Sequence, residues 1–224
     1  FIFSDDNPGS TDTAQTDGVI GKFSLAWTPN TDQLYYVTWS EGFRPGFLNR
    51  PGGKGNASYT VPFSFDSDDV TNIELGWKLD LLDGNLRFNG DIFMTDVENL
   101  QVGIFDTSVT NLFFSDNAAD AEIKGVEGDF IWLPNSVEGL TVSGGFSVLD
   151  TEITKNHVGN TNYIRVGDEL AFAPELQLNL QARYEWSLSN GDTAHVMPHI
   201  SYSDEAATDI VVPNRTTLDS WTLV

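Results

Sequence analysis

The three histidines, His157, His195 and His199, are the side chains of this sequence best suited to hold a metal or move a proton. His195 and His199 are four residues apart, a spacing that on a helix would place both beside one ion. On a strand, which rises roughly 3.3 Å per residue, the same spacing puts them about 13 Å apart. The residues around them alternate between apolar and polar, which predicts a strand. We therefore interpret these histidines as side chains of a wetted sheet face.

Paired carboxylates are the second candidate, because two carboxyl groups can act as general acid and base. Here they recur at every second position of several predicted strands, which is typical of a polar wall. The acidic runs at 66–69 and 204–205 lack the EF-hand spacing for calcium, although a calcium role in ordering loops stays open. The sequence has no phosphate-binding glycine loop, nucleophile elbow or zinc motif. We predict no enzymatic activity, no cofactor and no metal site.

Composition narrows the classes of protein further. The chain has 224 residues, and its 33 acidic and 11 basic side chains give a formal net charge of −22, which argues against nucleic-acid binding. A hydrophobic content of 40 % is too high for a disordered chain, and the absence of cysteine excludes a disulfide scaffold. No apolar run reaches the roughly 20 residues of a spanning helix. A membrane-spanning strand escapes this criterion, because its apolar residues occupy alternate positions.

The dominant period along the chain is two residues, which indicates strands. The segment 72–81 reads N-I-E-L-G-W-K-L-D-L, and 175–186 reads E-L-Q-L-N-L-Q-A-R-Y-E-W. Both are longer than the five or six residues usual in soluble sheets and reach the roughly ten that a tilted strand needs to cross a bilayer. Ile73, Leu75 and Trp77 are expected to face lipid, and Glu74 and Lys78 to face water.

Short turns alternate with long loops between these strands. Turn signals occur at 29–32, 83–85, 134–136 and 189–192, and the long segments are 44–70, 103–120, 151–173 and 204–214. Short turns at one end and long loops at the other are typical of an outer-membrane β-barrel. The alternative is a soluble β-sandwich, whose strands also alternate but are shorter.

One segment adds a family resemblance. Residues 34–50 read L-Y-Y-V-T-W-S-E-G-F-R-P-G-F-L-N-R, which resembles the strand-and-loop signature of TonB-dependent outer-membrane receptors. Segments at 70–93, 97–102, 119–130 and 166–184 are similar to later parts of the same barrel, in the same order. The resemblance extends over about residues 19–224.

The resemblance implies an all-β fold, an antiparallel transmembrane barrel of about 22 strands with a plugged lumen, of which this chain holds roughly nine or ten. Residues 1–224 are then expected to be a partial barrel domain, with the plug and the final strands absent. It further implies import of a scarce nutrient, most often an iron–siderophore complex, in the Gram-negative outer membrane. The implied partners are a TonB-type energy-transducing protein, the iron chelate, and outer-membrane lipid and lipopolysaccharide. A passive porin and a soluble binding module remain the alternatives.

Five residues are candidates for ligand contact. Arg44 and Asn49 follow a strand in the resembling segment, and each could instead anchor the loop. Phe113, Phe114 and Tyr163 lie in long loops, where aromatic rings can stack on a ligand or equally cap the barrel rim.

Overall fold

The computed structural model describes residues 16–49, 60–105, 113–159 and 162–224. These residues form one large antiparallel sheet and two small hairpins of two strands each. The strands are β1 Lys22–Asn30, β2 Gln33–Arg44, β3 Phe47–Leu48, β4 Ser64–Phe65, β5 Asp68–Leu81, β6 Leu86–Ile104, β7 Phe114–Trp132, β8 Leu140–Asn156, β9 Leu176–Ser187, β10 Thr193–Val196, β11 His199–Ser203, β12 Ala206–Ala207, β13 Thr217–Leu218 and β14 Trp221–Leu223.

Neighbouring strands of the large sheet follow one another along the chain. The sheet formed by the described residues has ten strands, in the order β1-β2-β5-β6-β7-β8-β9-β11-β14, with β10 also paired to β9. Hairpins β3–β4 and β12–β13 belong to the long loops at one end, and a 3-10 helix at Val212–Asn214 follows β12. The predicted antiparallel all-β fold and the predicted number of strands are confirmed.

No helix in the described parts of the chain is long and apolar enough to cross a membrane.

The two faces of the sheet differ in chemistry, as the period of two predicted. Leu25, Val37, Leu75, Ile92 and Val126 are aligned across five strands on the convex face. Most of this row is exposed, and Leu75 and Ile92 each keep 49 % of their surface. No second layer covers this face among the described residues. A continuous exposed apolar surface of this kind marks contact with lipid or with another protein.

Aromatic rings cover glycines of neighbouring strands on both faces. Trp77 lies directly opposite Gly90, and an added Cβ at Gly90 would lie 2.6 Å from the Trp77 ring and 2.7 Å from the Glu127 carbonyl oxygen. Tyr36 covers Gly76 in the same way. A glycine therefore leaves the space that lets a large ring lie flat on the sheet.

Strands β6 to β8 extend farther toward the loops than the sequence pattern predicts. The alternation is interrupted where the β6–β7 register shifts between Val97 and Gln101, and where the β7–β8 register shifts at Asp120. Asn99 there has a φ of 56°, in the left-handed region. A bulge adds a residue to one strand and changes which face the following side chains occupy, so the alternation ends while the strand continues. The segments predicted as loops at 103–120 and 151–173 thus begin or end in strand.

Proline interrupts the pairing along β9. Met197 and Pro198 separate β10 from β11, and both strands pair with β9. The Pro198 carbonyl still accepts a hydrogen bond from the Ala182 N–H at 3.1 Å. Because proline has no N–H to donate, the strand divides at this point, where the sequence pattern was weakest.

We predict that Gly90→Ala destabilises the folded protein by about 1–3 kcal/mol, because the new methyl group would overlap both an indole ring and a backbone carbonyl. Urea unfolding of the protein reconstituted in lipid vesicles, followed by tryptophan fluorescence, measures the loss. Gly42→Ala in β2 is the matched control, since a Cβ there meets nothing within 4 Å. Equal stabilities of the two variants would contradict the account of glycine–aromatic pairing.

Candidate functional site

The concave face of the sheet is polar across its whole width. Tyr36, Gly76, Asp91, Glu127 and Ser147 are register partners in one row, which continues through Gln177 and Ser203. The hollow that this face encloses has a volume of about 1080 Å³. Charged side chains recur along the row and beside it, so this face suits an aqueous lumen.

Polar side chains on this face bond to their neighbours in the wall. Arg87 donates from Nε to Asp80 Oδ1 at 2.7 Å and from Nη2 to Asp80 Oδ2 at 3.0 Å. The Tyr36 hydroxyl donates to Glu74 Oε1. These contacts join adjacent strands, which favours a supporting role over acid–base catalysis. No group of three or more potential ligands in the described residues is placed to hold a metal ion.

A buried carboxylate holds the chain where β2 and β5 meet the loops. Asp68 is fully buried and lies directly opposite Arg44. It accepts hydrogen bonds from the Arg44 side chain, with Nε at 2.8 Å from Oδ2, and from the Arg44 backbone N–H at 3.1 Å. The Gln101 N–H adds a contact at 3.3 Å. Because a buried charge is costly unless it is paired, Asp68 needs these donors.

Two side-chain amides bind the segment between β2 and β5 to the loop-side extensions of β6 and β7. The Gln101 Nε2 group donates to the carbonyl oxygens of Arg44, Pro45 and Asp66 at 3.0–3.2 Å. The Asn117 side chain accepts from the Asp66 N–H at 2.6 Å and donates to its carbonyl at 2.9 Å. We call Arg44, Asp68, Gln101 and Asn117 the loop clamp.

Asn49 extends this attachment to the start of β7. Its side chain donates to the carbonyls of Pro62 and Ser115 at 2.9 and 2.7 Å, and its Oδ1 accepts from the Ser115 N–H at 2.7 Å. The side-chain amide thereby bonds to backbone on both sides of the gap between the β3–β4 hairpin and β7. All of these partners are protein groups, so the geometry favours the anchoring role of Asn49.

The packed core of the described chain lies at this loop end. Ile104, Ile153, Ile164 and Val211 are fully buried there, although they come from distant parts of the sequence. Members of the cluster are Val97, Val102, Ile104, Phe114, Ala118, Ala119, Ala121, Ile153, Tyr163, Ile164, Ile210 and Val211. The extensions of β6 to β8 thus pack with the loops around one shared core.

A second charged contact stabilises the same body. Asp120 accepts hydrogen bonds from Lys155 Nζ at 2.7 Å and from the Asn99 N–H at 2.9 Å, and His157 Nε2 lies 2.7 Å away. Asp120 lies six residues beyond Val126, the last apolar residue of the convex face on β7, or about 20 Å farther toward the loops. Burial alone would raise its pKa, but the bonds with Lys155, His157 and Asn99 lower the pKa of Asp120 to about 2. Its negative charge therefore persists at physiological pH.

A match to a protein-family model identifies the family of this chain. The model described as "TonB dependent receptor-like, beta-barrel" matches residues 2–224. The chain belongs to this family of TonB-dependent receptors.

Relatives of this receptor chain are siderophore receptors. The protein named "Probable TonB-dependent siderophore receptor PiuA", from Acinetobacter baumannii, is 26 % identical over 144 residues, which are 63 % of this chain and 18 % of PiuA. The ferric yersiniabactin receptor FyuA of Yersinia pestis superimposes with a TM-score of 0.65 at 15 % identity, covering 91 % of this chain and 28 % of FyuA. The ferric preacinetobactin receptor BauA of A. baumannii also gives 0.65, at 22 % identity, covering 90 % and 28 %.

The structural likenesses establish the fold of this chain. The solved structures show that its sheet is a section of a receptor barrel, as the sequence resemblance predicted. The chain spans less than a third of each of these relatives. They are transport receptors rather than enzymes.

The five predicted contact residues of the receptor fall into different environments. Arg44 and Asn49 belong to the attachments just described, and Phe114 and Tyr163 lie in the loop core with 4 % and 6 % of their surface exposed. Phe113 is 72 % exposed, and its ring centroid lies 4.8 Å from that of Phe105. Among the three aromatic candidates, Phe113 is the one whose ring is exposed, and ligand contact by all five residues stays a prediction.

Sequence reasoning missed the residues that hold the loops of the receptor together. Asp68 appeared only as part of an acidic run, and Gln101, Asn117 and Asp120 carried no pattern of their own. Arg44 and Asp68 are 24 residues apart in sequence, and Asn49 and Ser115 are 66 apart. Only the register between strands brings such distant residues together. Beyond Val97 the bulges shift this register, so the sequence pattern does not predict it.

We predict that Asp68→Asn in the receptor loosens the loop clamp, because the amide lacks the charge that pairs with Arg44 and places an N–H₂ group among donors. A loss of about 1–3 kcal/mol of local stability is expected. It is measured as faster deuterium exchange at the Arg44 and Gln101 amides.

Asp66→Asn is the matched control for the clamp, since Asp66 is exposed and contributes its backbone to the contacts with Gln101 and Asn117. It should leave exchange unchanged. Equal protection in wild type and Asp68→Asn would refute the role given to the buried carboxylate.

Proposed function

We propose that this chain is part of the barrel of an outer-membrane receptor that imports a ferric siderophore with energy from a TonB-type protein. The observation that carries the proposal is the family match over residues 2–224, together with siderophore receptors among the relatives. The single sheet supplies the wall of the transport path, and the packed loops supply its outer rim.

The two faces of the wall support placement in the outer membrane. Phe23 and Leu25 expose 63 % and 64 % of their surface on the convex side, where a soluble protein would leave them in water. Burial of such side chains in lipid stabilises each by about 1.5–3 kcal/mol. The partners of this side are membrane lipid and, toward the loops, lipopolysaccharide.

The concave side supports a lumen that the rest of the receptor fills. Its polar row suits contact with water and with a plug domain, on which the TonB-type protein acts in this family. The wall is joined by cross-strand hydrogen bonds over its full width, so it acts as a rigid support. Its loops provide the surface that first meets the chelate.

The proposal is tested with the full receptor that carries this chain, expressed in a Gram-negative host without its own siderophore receptors. We expect uptake of radioactive iron from at least one ferric siderophore, and we expect deletion of the TonB-type protein to abolish it. Uptake that persists without that protein would indicate a passive porin instead. A receptor that stays monodisperse in buffer without detergent would contradict the barrel itself.

A further inference from the structure

The basic side chains at the loop end are mostly neutralised by carboxylates of the same surface. Among the described residues at this end, Lys22 and Arg165 alone lie outside such pairs. The ion pairs are Arg44–Asp68, Lys155–Asp120 and Arg215 with both Asp168 and Glu169. Among the described residues of this end, little positive charge therefore remains to bind an anion.

Acidic side chains at the same end are left in excess. Asp204 accepts hydrogen bonds from the Tyr202 hydroxyl and the Glu205 N–H, and Asp209 accepts one from the Val211 N–H. These donors carry no positive charge, so they do not provide a cationic partner for either carboxylate. Within the described chain, the acidic residues at this end without a salt bridge include Asp66, Asp69, Asp96, Asp204, Glu205, Asp209 and Asp219. The described part of this surface therefore carries a negative potential, which attracts cations and repels anions.

Exposed aromatic rings stand on the same loops. Phe47, Phe113 and Phe172 expose 58 %, 72 % and 67 % of their surface. Phe172 has a φ of 57°, and its N–H donates to the Ala207 carbonyl at 2.8 Å. A bulky residue is strained in this left-handed region, and such strain is found where a side chain serves a function. Aromatic faces in a negative field attract ammonium groups.

Ferric chelates differ in charge according to their ligand chemistry. In a catecholate chelate the phenolate oxygens outweigh the charge of the ferric ion, so the complex is an anion. In a trihydroxamate chelate the hydroxamates just balance the ferric ion, and a free amine on the chain then makes the complex a cation. A negatively charged loop end repels the anionic ferric catecholate and attracts the cationic ferric trihydroxamate that carries a free amine.

We propose that this receptor selects ferric trihydroxamates, above all those with a protonated amine, over ferric catecholates. This inference rests on the proposed function and names the class of its chelate. The negative potential of the loops steers the cationic complex to the surface, and the exposed rings of Phe113 and Phe172 contact its amine and alkyl chain. A catecholate complex would have to approach against the same potential.

The test compares a matched pair of ligands on the full receptor in iron-starved cells. One is the ferric complex of a linear trihydroxamate with a terminal amine, and the other is the same complex with its amine acetylated. We expect the cationic complex to associate about tenfold faster at low ionic strength, and we expect this advantage to shrink as salt screens the surface. The ferric complex of a cyclic triscatecholate should show little or no uptake.

A pair of charge-reversal variants locates the effect. Glu205→Lys places a positive charge at the loop end and should reduce the preference for the cationic complex. Glu138→Lys makes the same change at an exposed position of the opposite turn and should leave the preference intact. Efficient catecholate uptake, or equal association of the two trihydroxamates at all salt concentrations, would overturn the inference. Failure of every ferric chelate would instead contradict the proposed function.

Discussion

A strand inside lipid has no water to satisfy its N–H and C=O groups, so every strand must be bonded to a neighbour along its length. In this chain each strand of the large sheet pairs with its neighbour from β1 to β14, with a break in the pairing along β9 where Pro198 separates β10 from β11. Once the ladder is complete, the period of two decides the chemistry of each face, with Leu75 on the apolar convex face and Glu74 on the polar concave face. Register also brings Trp77 over Gly90, so packing in a single-layer wall occurs between strands within one face.

The loop end follows a different principle from the wall. Beyond the bulges at Asn99 and Asp120, the strands leave the single layer and pack with the loops around a core of their own. Buried Asp68 and nearly buried Asp120 hold that core with paired charges, which also consume Arg44 and Lys155. These contacts order the loops but remove equal numbers of positive and negative charges, so the acidity of this end comes from the excess of acidic over basic side chains in the sequence.

The sequence predicts the wall well and the loop end poorly, for a physical reason. Alternation in 72–81 is a local property, and so is the turn chemistry at 83–85, so the strands, faces and short turns could be predicted. The loop clamp depends on pairs such as Arg44 and Asp68 that only register brings together. Phe113 and Phe114 show the limit most plainly, because these neighbours are 72 % and 4 % exposed and the sequence gives them equal claims to ligand contact.

The alternation itself can be measured directly with spin labels placed, one at a time, at Ile73, Glu74, Leu75, Asp91 and Ile92 of the full receptor in lipid vesicles. Collision rates with dissolved oxygen report exposure to lipid, and those with a water-soluble nickel chelate report exposure to the lumen. The account predicts high oxygen and low nickel collision rates at Ile73, Leu75 and Ile92, and the reverse at Glu74 and Asp91. Collision rates that do not alternate with a period of two would contradict the membrane wall on which the functional assignment depends.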